Sequence, residues 1–80
     1  MRYYASIEYD DYNGDTLERI IFRLSYKGLV ESTKEALKGD GFYRIPKDAK
    51  PRLFAAWTVD KNEKEKNITN KMEDEINGLF

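Results

Sequence analysis

The sequence predicts an α+β fold, in the order ββαββα, with two helices packed on one face of an antiparallel four-stranded sheet. Three observations carry this. Asn13-Gly14 separates two β-rich runs, the apolar period becomes helical after Gly28, and a second β-rich run precedes a final helical stripe. At 80 residues the chain has room for one domain spanning 1–80 and one thin core.

Residues 2–26 read as a hairpin. With Asn13-Gly14 at the centre of a type I′ turn, partner numbers sum to 27. Ile7 then faces Ile20, Ala5 faces Phe22 and Tyr3 faces Leu24 on the core side. The other side pairs Glu8 with Arg19, Tyr4 with Arg23 and Ser6 with Ile21. Leu17, Ile20, Ile21 and Leu24 also fit a helical period, but the pairing favours the hairpin.

A helix is expected over 28–38, its stripe formed by Leu29, Val30, Thr33, Ala36 and Leu37 and its end capped by Gly39. Residues 42–45 form a short strand candidate ended by Pro46, and a loop runs to Pro51. The next strand spans 53–59, with Leu53, Ala55, Trp57 and Val59 on one face and Trp57 in the core. Asp60 and Glu63 have capping-box spacing for a helix over 61–77, whose stripe is Ile68, Met72, Ile76 and Leu79.

The residues that are missing exclude much chemistry. With no Cys there is no disulfide, thiol nucleophile or thiolate metal site. With no His there is no imidazole base and no Ser-His-Asp triad. Asp11, Asn13 and Asp15 resemble the start of a calcium loop, but Thr16 and Phe22 stand where its Gly and bidentate Glu belong. Gly39-Asp40-Gly41 lacks the lysine or third glycine of a phosphate loop. The expectation is a non-enzymatic protein without cofactor or metal. No apolar run could span a bilayer and no signal-peptide pattern opens the chain, so a cytoplasmic location without membrane contact is expected. Asn67-Ile68-Thr69 matches a glycosylation sequon by chance.

Charge is close to balanced overall, at −1, but it is segregated along the chain. Residues 1–18 are acidic, 19–52 basic and 53–80 acidic. The basic stretch holds Arg44, Lys47, Lys50 and Arg52 among Phe42, Tyr43 and Phe54. If the helices cover the other face, Tyr4, Arg23, Phe42, Arg44 and Phe54 lie on an open sheet face. The candidate binding set is therefore Tyr4, Arg23, Phe42, Arg44, Lys47, Lys50, Arg52 and Phe54. Aromatics beside arginines are enriched at protein interfaces, and they also stack unpaired bases. The favoured partner is another protein or a second copy, as for small accessory or inhibitor proteins of phages and mobile elements. Single-stranded nucleic acid is the alternative. An unprotected first- or second-strand edge would favour self-association.

Overall fold

The structure, a computed structural model, describes residues 1–39 and 44–77, with Lys47 described by its backbone alone. The elements are β1 (Arg2–Asp10), β2 (Thr16–Arg23), α1 (Tyr26–Lys38), a 3-10 turn (Lys47–Ala49), β3 (Arg52–Val59), β4 (Glu65–Asn67) and α2 (Thr69–Asn77). The four strands form one antiparallel sheet in the order β2-β1-β3-β4. The expected ββαββα order is present.

The hairpin forms, but in a different register. Partner numbers sum to 26, so Ala5 faces Ile21, Tyr4 faces Phe22 and Tyr3 faces Arg23. The turn is the cause. Gly14 N–H donates to Asp11 O at 3.1 Å, Asp11 N–H donates to Asp15 O at 2.8 Å, and Gly14 has φ +88°. Asn13-Gly14 thus ends a type I turn with a glycine bulge instead of centring a type I′ turn. The Asp11 carboxylate accepts N–H bonds from Asn13 and Asp15, both at 2.9 Å, which holds the loop. One step of register reverses every side chain of β2. Ile21 is buried at 1% exposure, whereas Ile20 and Phe22 lie on the opposite face.

The expected alternation of β3 fails for a similar reason. Ser6 pairs with Ala55 and Ile7 with Leu53, so Phe54 is an extra, bulged residue. Across it the faces exchange. Leu53 packs against the core, while Ala55, Trp57 and Val59 share the face of Tyr4. Trp57 is therefore not a core residue.

Asp60 does not cap a helix. Its backbone and carboxylate close a second turn, Asp60–Lys64, bonded as Asp11–Asp15 is, with Glu63 at φ +63° in the place of Gly14. The segment expected to begin the last helix instead returns as β4. The helix starts at Thr69, whose N–H donates to the Asn67 side-chain oxygen at 2.8 Å. Ile68 N–H donates to Ala56 O, and Thr69 Oγ1 accepts from Ala56 N–H, so β3 stays bonded where β4 ends. Of the strand expected over 42–45, Phe42 and Tyr43 lie outside the described residues. Arg44 has φ +57° and neither it nor Ile45 is in a strand.

The start of α1 lies two residues earlier than expected. Ser25 caps it, its Oγ accepting from Gly28 N–H at 3.0 Å. A Cβ on Gly28 would sit 2.9 Å from that oxygen, so a side chain there would shift the Ser25 hydroxyl. Leu29, Val30, Thr33 and Ala36 of α1 and Met72 and Ile76 of α2 are buried. They close the core with Ala5, Ile7, Ile21, Ile45 and Ala56. Both helices cover this one face, and among the described residues no helix covers the other, here called the bare face.

Candidate functional site

The bare face is built from cross-strand rows. Its central row runs Phe22, Tyr4, Trp57, Asn67 across all four strands. Tyr4 and Trp57 stack at 5.4 Å with ring planes 8° apart, and Tyr4 meets Phe22 at 5.3 Å and 47°. Such ring pairs contribute about 0.5–1.5 kcal/mol beyond their buried area and so favour this arrangement of the row. The next row is Ile20, Ser6, Ala55, followed by Glu18, Glu8, Arg52. Ile20 is 47% exposed and Phe22 43%. An apolar strip that a water-soluble sheet would normally cover thus lies open.

Its frame is acidic. The paired residues that share this face include four carboxylates, Glu8, Asp10, Glu18 and Glu65, and two cations, Arg2 and Arg52. Both cations are engaged. Arg52 binds Asp10 at 3.1 Å and lies 3.9 Å from Glu8, and Arg2 binds Glu63 at 2.8 Å. The hydrogen bond from Arg52 holds the Asp10 carboxyl below its ordinary range, and the same bond raises the guanidinium. Glu18 and Glu8 stand directly opposite each other, a like-charge pair. The Ser6 hydroxyl, donating to Glu18 Oε2 at 2.7 Å, partly relieves it.

The expected binding residues separate. Tyr4 lies in the centre of the row. Arg52 joins the acidic frame, and Phe54 is 58% exposed at the bulge. Arg23 does not join them: the register places it opposite Tyr3, on the helix-bearing side, where its Nη1 donates to Phe22 O at 2.6 Å. Arg44 and Lys50 are exposed in the loop before β3, both with positive φ. Lys50 borders a shallow depression with Tyr9, Asp10, Asp11 and Asp48, so acidic groups surround it. Lys47 opens the 3-10 turn, and Phe42 lies outside the described residues.

Sequence reasoning missed Glu18, Ile20, Phe22 and Trp57. The signal for Ile20 and Phe22 was the unbroken run Ile20-Ile21-Phe22, since a strand with one buried face must turn part of such a run outward. No comparable signal marks Trp57, because a bulge is not written in β-propensity.

Asp11 and Asp15 belong to the turn. Among the described residues no group of three carboxylates is placed to hold a metal ion. Likewise no described helix is long and apolar enough to cross a membrane. No family model, curated protein or solved structure matches this chain.

Proposed function

We propose that this chain is a protein-binding module that docks a partner on its bare sheet face. The observation that supports this is the pre-ordered row Phe22, Tyr4, Trp57 with Ile20 beside it, framed by carboxylates whose neighbouring arginines are already paired. A stacked aromatic centre inside a polar rim is the composition of a protein interface. The frame selects the partner's chemistry. Glu18 and Glu8 together attract a cation, so the complementary surface is an apolar ridge flanked by Lys or Arg. The reading is of binding rather than catalysis, in the cytoplasm, with an accessory or inhibitory role.

Single-stranded nucleic acid has less support. Stacked rings suit bases, but a phosphate backbone would meet more carboxylates than free cations on this face.

Selection from a displayed random-peptide library tests the reading. Selected peptides should combine aromatic or aliphatic residues with Lys or Arg, and should lose binding to Phe22→Asp and to Glu18→Lys. Glu18→Lys replaces a like-charge cross-strand pair with an opposite-charge one, so the fold should tolerate it. Binders rich in Asp and Glu, or binders unaffected by both substitutions, would refute it.

A further inference from the structure

We propose that β2 pairs antiparallel with β2 of a second copy, across a two-fold axis at Ile20, joining two sheets into one of eight strands. The two margins of the sheet are unlike. β4 is three residues long and exposed, with Glu65 and Lys66, and beyond it Ile68 and Thr69 occupy the backbone of Ala56. Short, charged and covered is how sheets protect an edge. β2 is eight residues long and carries no Pro, Lys, Gly or bulge. Leu17, Ile20, Phe22 and, just beyond it, Leu24 are exposed along it, on both faces.

The hydrogen-bond phase then limits the partner. Asp11 N–H bonds to Asp15 O, so bonded pairs recur at every second residue and odd-numbered residues of β2 face β1. Thr16, Glu18, Ile20 and Phe22 turn their N–H and C=O groups to the outer margin, where the Phe22 C=O accepts from Arg23 Nη1, a bond that a second strand's N–H must displace. A second β2 must meet these with its own even-numbered residues, which makes the partner numbers sum to an even value. A sum of 38 sets Arg19 against Arg19 of the second copy, and 42 sets Arg19 against its Arg23. A sum of 40 avoids both clashes and pairs residues 17 to 23, with Ile20 on Ile20 and Glu18 on Phe22. This axis stands perpendicular to the sheet, so all four helices lie on one side. The two bare faces merge into one on the other. The inference does not require the docking role proposed above.

The cysteine-free chain allows a direct test. Ile20→Cys places two thiols across the axis at the spacing of a bonded antiparallel pair, about 5.5 Å between Cα atoms, within disulfide reach. In a dimer the effective thiol concentration is in the mM range. At roughly 10 μM chain, Ile20→Cys should therefore cross-link on the order of 100-fold faster than Tyr12→Cys at the exposed hairpin tip. Sedimentation of the unmodified chain should give a dimer. Ile20→Lys should give a monomer with unchanged circular dichroism. If that variant does not fold, the cysteine comparison stands alone. A monomeric unmodified chain, or equal cross-linking at residues 12 and 20, overturns the proposal. So does fastest cross-linking at Arg19→Cys or Ile21→Cys, which would mark another register. A monomer that still binds selected peptides would overturn the dimer alone.

Discussion

Glu63→Gly should stabilise the protein, although it removes an ion pair. The two hairpin turns, Asp11–Asp15 and Asp60–Lys64, share their backbone hydrogen bonds, and each has its fourth residue at positive φ. Gly14 adopts +88° without a Cβ to resist it, whereas Glu63 is held at +63°. A side chain in this region costs about 1–2 kcal/mol. Glycine gives back roughly 0.5–1 kcal/mol through the freedom it adds to the unfolded chain. The Arg2–Glu63 pair, though 2.8 Å long, joins exposed side chains and is screened by salt. Strain relief less that cost leaves about 0.5–1 kcal/mol where salt screens the pair, or a rise of about 3–6 °C in Tm for a domain of this size. Thermal melts followed by circular dichroism, in low salt and in 0.5 M salt, measure it. The gain should be larger in high salt, where the ion pair has already been weakened. Glu63→Ala keeps the strain and loses the pair, so it should melt below the parent protein. A Tm for Glu63→Gly no higher than that for Glu63→Ala would show that strain there does not exceed the entropic cost of glycine and refute the reasoning.

Three further substitutions probe the turn, the core and the acidic frame. Gly14→Ala meets no atom within 4 Å, so its cost is conformational, about 0.5–1 kcal/mol in denaturant titration once the stiffer unfolded chain offsets part of the strain. Tyr26→Phe should raise stability by roughly 1 kcal/mol, because the hydroxyl is buried without a partner among the described residues. Burial, with the nearby Glu75 charge, also raises the Tyr26 phenol above 10, so the unfolded chain ionises first and the parent loses stability as pH rises past 10. Tyr26→Phe should remove that part of the alkaline loss, and a parallel decline in both proteins would count against it. For Asp10 the sign is opposite. Its folded pKa lies below 3.8, so the contribution of Arg52 is complete above that value and is lost as pH falls through the lower folded one. Arg52→Ala should therefore melt lower than the parent at pH 7 and approach it in acid. A gap that persists unchanged in acid would contradict the pairing.

Much of the fold was legible because local chemistry specifies it. The helical stripe Leu29, Val30, Thr33, Ala36 shows its period within the chain, and Gly39 ends it, although the Ser25 cap at its start was not read. Asn13-Gly14 marks a reversal wherever the strands go. The same dipeptide serves two turn types, however, and these differ by one residue of register. Ile20-Ile21-Phe22 satisfies either register, since apolar side chains occupy both parities of that run. β4 was hidden for a different reason: Glu65-Lys66-Asn67 has little β-propensity and is a strand because the turn at Asp60 returns it to β3.

Composition had already set the chemistry to exclude: without His or Cys, imidazole and thiolate mechanisms are closed at any fold. Local pattern set the hairpin, the first helix and the strand from Leu53 to Val59. The identity of the bare face came from two bulges, at Gly14 and Phe54, each of which shifts the strand's period of two by one residue. Those shifts depend on how one strand's hydrogen bonds meet its neighbour's, a relation between distant residues. They turned Ile21 inward and brought Ile20, Phe22 and Trp57 out beside Tyr4.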